Sequence, residues 1–198
     1  MIKVGFCGGP GSGKTVLARA VANKFCMDGY IAEYVSEYAR FHISQCTRAP
    51  HNAPRDLLHQ QLILQNQLQW EDAVQLSAEF MITDSPIITG AVYAYLVADF
   101  QNHNQKTFYF QHYQKIVELK DRYDRLLFLP SDVIEFQSDG LRAQDVERAR
   151  DIGERIKAFM TFHGMKWYEV KSVALEDRVK ECCNIIHPAW EDILAKGE

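Results

Sequence analysis

The sequence predicts an α/β fold, a three-layer αβα arrangement around a mainly parallel sheet of five strands. Three observations predict it. Short apolar runs alternate with helical segments along the whole chain, and such alternation implies parallel pairing with crossover helices on both faces of the sheet. The 198 residues are 47% hydrophobic and 24% charged, enough for one domain with a full core and too few for a second large one. A glycine-rich run sits between the first strand-like segment and the first helical one, where such sheets place their ligand sites.

The elements follow in order. Residues 1–7 read as the first strand. Residues 14–27 form a helix, with Val16, Leu17, Ala20, Val21 and Phe25 on one face and Asp28-Gly29 as its stop. Residues 30–35 are the second strand. A long helix spans about 56–76, its apolar side made by Leu57, Leu58, Leu62, Leu64, Leu68, Val74 and Leu76. Phe80-Met81-Ile82-Thr83 is the third strand, and Pro86 opens a helix to about residue 99. Residues 105–121 are helical. The run Arg125-Leu126-Leu127-Phe128-Leu129-Pro130 is a buried fourth strand, and 143–163 a helix stopped by Gly164. Residues 166–171 make the fifth strand, and a last helix covers about 175–186, ending before Pro188. The loops are 45–55, with two prolines, and 101–106. No internal repeat, low-complexity tract or linker interrupts this single domain.

Composition excludes several classes. No apolar stretch approaches the ~20 residues a membrane span needs, and the start lacks a basic region with an apolar core and cleavage site. The expectation is a cytoplasmic protein with no membrane partner. Five cysteines (Cys7, Cys26, Cys46, Cys182, Cys183) show no C-x-x-C spacing, so buried free thiols are expected, not disulfides or a metal site. The seven histidines form no H-E-x-x-H pair. A net charge of −4 does not mark a nucleic-acid binder, although it leaves local basic patches open.

The run Gly8-Gly9-Pro10-Gly11-Ser12-Gly13-Lys14-Thr15 fits G-x-x-x-x-G-K-[ST], the phosphate-binding loop. The glycines let successive N–H groups turn inward around phosphate oxygens, and the following helix adds its positive end. Lys14 would reach the β- and γ-phosphates, and the Thr15 hydroxyl would hold Mg²⁺. The site is therefore one for a nucleoside triphosphate, ATP over GTP because no N-K-x-D signature appears.

Other residues extend the site. Asp84 ends the third strand beside the loop, a place for a metal-holding or catalytic carboxylate; a helix N-cap before Pro86, by Asp84 or Ser85, is a second reading compatible with the first. Glu37 follows the second strand, across from a γ-phosphate, and can orient or deprotonate an acceptor hydroxyl. Arg40 can neutralise phosphate or hold the acceptor; the alternative is an i,i+3 ion pair on a solvated helix start. Glu33 is structural. A polar, arginine-rich stretch after the fourth strand suits a lid at about 131–150, with Arg142 as a catalytic charge and Arg148 on the nucleotide. Arg150 and Arg155 read as an exposed helix face. Of Trp70, Tyr93, Tyr95, Phe108, Tyr109, Phe110 and Tyr113, most read as core, leaving one or two to stack on a planar base.

With these residues in view, the chain resembles the small P-loop kinases related to the ribosylnicotinamide kinase domain of NadR-type bacterial enzymes, including phage hydroxymethyluracil DNA kinases. The resemblance rests on Gly8 to Thr15, Ser36-Glu37-Tyr38-Ala39-Arg40, Ile82-Thr83-Asp84 with Pro86, Tyr123-Asp124-Arg125-Leu126-Leu127-Phe128-Leu129, Asp139-Gly140-Leu141-Arg142 and Glu176-Asp177-Arg178. It implies transfer of the γ-phosphate of ATP, with Mg²⁺, to a hydroxyl of a nucleoside-like acceptor. No fused adenylyltransferase domain is expected, and the third strand ends Asp84-Ser85-Pro86 rather than in the pattern of the ribosylnicotinamide enzymes. The phage members imply 5-hydroxymethyluracil in DNA as acceptor, a step of thymidine hypermodification that evades host restriction in the host cytoplasm. A DNA acceptor would need a basic groove, from Arg40, Arg48, Arg55 and Lys115, and base extrusion. Alternatives are a kinase of a free nucleoside or nucleotide such as ribosylnicotinamide, a non-kinase P-loop ATPase switch, and a binding module without catalysis, which Lys14, Thr15 and Asp84 argue against. Nothing in the sequence fixes the oligomeric state.

Overall fold

The computed structural model describes residues 1–46, 56–74, 78–133 and 146–196. Its strands are β1 (Ile2–Cys7), β2 (Ala32–Val35), β3 (Phe80–Asp84), β4 (Arg125–Phe128) and β5 (Trp167–Glu169). They form one sheet in the order β2-β3-β1-β4-β5, every neighbouring pair parallel. The helices are α1 (Lys14–Met27), α2 (Tyr38–Cys46), α3 (Leu57–Val74), α4 (Thr89–Val97), α5 (His103–Glu118), α6 (Val146–Phe162) and α7 (Leu175–Lys196). A short 3-10 turn, Lys120–Arg122, leads into β4.

Both faces of the sheet are covered, which is why its strands read as nearly continuous apolar runs. Phe80 and Ile82 pack with Leu17, Val21 and Phe25 of α1 and Cys182 and Ile186 of α7. Met81, Leu126 and Phe128 alternate to the other face, against Leu64 of α3, Ile88, Ile116 of α5 and Ile152 and Ile156 of α6. This period of two carries into the polar residues at the strand ends. Asp84 continues the α1 face, and Thr83 continues the α3 face.

Several sequence expectations are corrected. The buried side of α1 is Leu17, Ala18, Val21, Ala22 and Phe25, while Val16 is 59% exposed; the two alanines let the helix lie close to the sheet. On α3, Leu58 and Leu62 face outward, and the buried stripe is Leu57, Leu64, Gln67 and Glu71. Helix α2 agrees with the helix start offered as the alternative at Arg40, and it takes in the start of the expected 45–55 loop; residues 47–55 lie outside the described ones. Helix α5 starts at His103 because Asn102 caps it, accepting from the N–H groups of Asn104 (3.0 Å) and Gln105 (3.2 Å). Helix α7 runs through Pro188 to Lys196. An interior proline costs ~3 kcal/mol. Beyond it Ala189 is buried and Trp190 packs 5.1 Å from Phe80, with His187 5.3 Å from Phe25, and this packing offsets the lost hydrogen bond.

Cys7, Cys182 and Cys183 are buried free thiols as expected, with burial raising their pKa, whereas Cys26 is exposed. Among the described residues no helix is long and apolar enough to cross a membrane.

The polar part of the α3 stripe ties the layers together. Glu71 is fully buried, and Tyr123 donates its hydroxyl to both carboxylate oxygens at 2.9 Å. Arg122 Nε donates to Glu71 Oε2 at 2.9 Å and Nη2 to Asp72 at 2.6 Å. The Tyr123 oxygen in turn accepts from the Ile87 N–H at 3.0 Å, fixing the chain just after β3. Removing one partner of a buried pair strands the other. Glu71→Ala is accordingly expected to lower unfolding free energy by about 3 kcal/mol in urea titration, and Glu71→Gln by less.

Candidate active site

Strand β1 lies between β3 and β4, so the loop that leaves it at Cys7 emerges where the sheet order reverses. The loop turns into α1 through Gly13, held left-handed at φ 81°, a conformation that costs glycine nothing. Gly9 meets a different constraint. A Cβ there would sit 2.0 Å from the carbonyl oxygen of Ala149, where α6 crosses the loop. Lys14 is 8% exposed and donates Nζ to the Gly9 carbonyl at 2.8 Å, so the ammonium lies across the loop. Ser12 is fully buried, its hydroxyl without a hydrogen-bond partner.

The register of β3 on β1 sets Asp84 opposite Phe6, two residues before the loop. The Thr15 hydroxyl donates to Asp84 Oδ2, and the Tyr34 hydroxyl approaches the same oxygen at 3.4 Å. Burial raises the Asp84 pKa, the nearby Glu37 carboxylate raises it further, and Lys14, Thr15 and Arg40 oppose the rise. Burial and Asp84 push the Tyr34 phenol up to about 12. The structure therefore brings Lys14, Thr15, Glu37, Arg40 and Asp84 within electrostatic reach of one another. Asp84 Oδ1 is buried with no protein partner, and a hard oxygen left open beside a hydroxyl suits Mg²⁺, which takes a few protein oxygens and completes its shell with water and phosphate.

The N-cap reading of Asp84 or Ser85 does not hold. Helix α4 begins at Thr89, capped by Ile88 without a side-chain bond, and Thr89 Oγ1 bonds the Pro86 carbonyl instead. Ser85 adopts φ 59°, a left-handed conformation rare for a residue with a side chain. Such strain concentrates at functional sites, and Ser85 lines the cleft described next.

Glu37, 6% exposed, opens onto a cleft walled by α2, α3, α4 and α6, with about 860 Å³ of atom-free space including its open mouth. Its lining is mainly apolar, with Ile43, Ile63, Leu64, Tyr93 and Leu96, and it includes Gln60, Gln67 and Arg148. Arg40 Nε meets Glu37 Oε2 at 3.1 Å, so the i,i+3 ion pair exists and lies inside the site. Tyr93 is the member of the predicted aromatic set on the cleft wall; Tyr95 and Phe110 are exposed, and Tyr109 is buried among aromatics. Arg155 pairs with Asp151 on an exposed face, and Arg150 is exposed, both as expected. Glu33 points to solvent on β2. Arg142 and most of the expected lid, residues 134–145, lie outside the described residues.

Sequence reading missed Tyr34, Gln67 and Ser85. Gln67 Oε1 accepts from the Tyr38 N–H at 2.8 Å, and Nε2 donates to Thr83 Oγ1 at 3.2 Å. One amide thus joins the segment carrying Glu37 to the residue before Asp84. The spacing Leu64, Gln67, Glu71 was the available clue, two polar residues on the inward period of a helix otherwise read by its leucines.

The five-stranded parallel α/β architecture is that of P-loop kinases. It is similar to a NadR protein solved in complex with NR, at TM-score 0.71 and 17% identity over 94% of this chain. The chain spans 52% of that protein. It is similar to deoxyadenosine kinase from M. mycoides with bound dATP, at TM-score 0.64 and 14% identity, covering 94% of this chain and 100% of that one. Thymidylate kinase from Candida albicans follows at TM-score 0.59 and 14% identity, covering 95% and 92%. A search of curated proteins gives no match. The model of the AAA domain family matches residues 3–178, from β1 through the first turn of α7, and the chain belongs to that family.

Proposed function

We propose that this protein is an ATP-dependent phosphotransferase that moves the γ-phosphoryl group to a hydroxyl of a nucleoside-type acceptor. One observation carries the reading. Glu37 and Asp84, from neighbouring strands, converge with Lys14 and Thr15 where the phosphate loop meets a mostly apolar cleft. The nucleoside- and nucleotide-kinase neighbours of the fold support it.

The residues divide the work. Loop amides and the Lys14 ammonium, swung from the Gly9 carbonyl, bind the polyphosphate. Thr15 and Asp84 would hold Mg²⁺, which when bound would supply positive charge to offset that of the polyphosphate. Glu37, oriented by Arg40, accepts the hydrogen bond of the acceptor hydroxyl and takes its proton. The acceptor oxygen bonds to the γ-phosphorus, the bond from that phosphorus to the bridging oxygen breaks, and ADP leaves. Arg148 and Arg142 are assigned to the charge of the transferring group. Such transfer is chiefly positioning and electrostatics, so this small set suffices.

A base and sugar fit between Ile63, Leu64, Tyr93 and Leu96, with polar groups at the Glu37 end, which favours a free nucleoside or nucleotide. Two of the four residues expected in a basic groove are engaged elsewhere, Arg40 with Glu37 and Lys115 with Glu118, and Arg48 and Arg55 lie outside the described residues. The second acceptor reading, 5-hydroxymethyluracil within DNA, is favoured by aromatic surface on α2 and α3. Phe41 is 47% exposed, with Trp70 5.7 Å from it and 4.9 Å from Tyr38, the kind of platform on which unpaired bases stack.

Incubation with γ-labelled ATP and a panel of free nucleosides, nucleotides and hydroxymethyluracil-containing DNA tests both. Label is expected on a free nucleoside-type acceptor; label confined to the DNA would establish the second reading instead. Nucleotide turnover with no acceptor labelled, stimulated by a partner, would mark an ATPase switch. Lys14→Ala is expected to reduce transfer about 10²–10³-fold while keeping the wild-type melting temperature; retained activity would contradict the assignment. Asp84→Asn is expected to abolish transfer and to alter stability with pH in a defined sense. A carboxyl whose pKa is raised by folding favours the protonated form, so its ionisation weakens the fold as pH rises from the unfolded value through the folded one. The variant should therefore melt higher than wild type above the raised value, and the gap should close below about pH 4.

A further inference from the structure

The nucleotide site contains a charge that the mechanism above does not use. Arg178 stands on the first turn of α7, its N–H bonded to the Ala174 carbonyl at 2.9 Å. The side chain is only 3% exposed, and it reaches back to the phosphate loop, where Nη2 donates to the Ser12 carbonyl at 3.4 Å. Its Nε is buried without a partner, as is the Ser12 hydroxyl. No carboxylate among the described residues forms an ion pair with it. The acid one turn away, Glu181, is occupied by the N–H groups of Lys171 (3.0 and 3.1 Å) and Ser172 (2.8 Å). Burial lowers the Arg178 pKa, and nearby Cys182 and Glu181 oppose the drop without meeting the guanidinium in an ion pair.

A buried, unpaired guanidinium destabilises a fold, and an apolar side chain of similar volume would serve packing better. The absence of an ion-paired carboxylate among the described residues, with Nε left unbonded beside the loop, is the key to the position. The side chain bonds the backbone of the glycine-rich loop at Ser12, and the function proposed above gives that loop a polyphosphate to hold.

We propose that Arg178 is a positioning residue for the nucleotide: it holds the Ser12 carbonyl outward so that loop amides face the phosphates, and the bound polyphosphate supplies its counter-charge. It does so without touching the ligand. The proposal rests on the nucleotide-binding part of the function proposed above and is independent of the acceptor.

Calorimetric titration with Mg·ADP, with thermal melts of the free protein, tests it on wild type, Arg178→Met and Arg178→Lys. Arg178→Met is expected to melt at or above the wild-type temperature without ligand, yet to bind Mg·ADP about 10- to 100-fold more weakly, the loss of one charged hydrogen bond and its field. Arg178→Lys keeps the charge without the planar fork and is expected to fall between. Wild-type affinity in Arg178→Met together with a lowered melting temperature would overturn the proposal in favour of plain packing. If Arg178→Met does not fold, Arg178→Lys decides: an affinity loss of less than about 10-fold supports a role for the charge, and a loss of about 10-fold or more overturns it. Wild type that binds Mg·ADP but labels no acceptor would sink the transferase reading and leave Arg178 standing. Absence of binding by wild type would end both.

Discussion

Parallel pairing of β1 with β3, in register from Ile2–Phe80 to Phe6–Asp84, sets where the two halves of the site meet. The hydrogen-bond ladder fixes the level of the third-strand carboxylate relative to the loop, and the period of two assigns each end residue to a face. Asp84 therefore meets Thr15 of α1 on one side, and Thr83 meets Gln67 of α3 on the other. A slip of one residue would exchange them, sending the carboxylate into the α3 network and leaving the hydroxyl of Thr15 without its acceptor.

The α3 network makes that register rigid at the level of single atoms. Gln67 pins the peptide after Glu37, Glu71 gathers Tyr123 and Arg122, and Tyr123 in turn pins Ile87 beyond the strained Ser85. Gln67, Glu71, Thr83 and Tyr123 are buried, and partners from other layers match them. A buried network of this kind adds little net stability compared with apolar packing, but when satisfied it specifies one arrangement. Glu37 lies close enough to Asp84 for its like charge to raise the Asp84 pKa, and the frame holds both elements in place.

At the loop the accounting is different. Asp84 Oδ1, the Ser12 hydroxyl and the Arg178 Nε are buried without hydrogen-bond partners. Groups of both signs are thus held at one glycine-rich loop, the loop to which the proposed function assigns a polyphosphate and a hard cation. Stability given up in the free protein is available as binding free energy, the usual relation between a preorganised site and the fold that carries it.

The sequence by itself determined the parallel α/β architecture, the phosphate loop, and Asp84 and Glu37 as residues at strand ends, because local periodicity and loop chemistry are written in neighbouring residues. The course of α7 through Pro188 and the inward face of α3 were settled by tertiary packing. Trp190 against Phe80 outweighed a proline's local preference, and partners far along the chain, Tyr123 and Arg122, made a glutamate an interior residue. Only tertiary structure brought Tyr34 to Asp84, Gln67 to Tyr38 and Arg178 to Ser12. Those contacts join residues separated by 29 to 166 positions, and a burial that depends on such distant partners leaves no pattern in the local sequence.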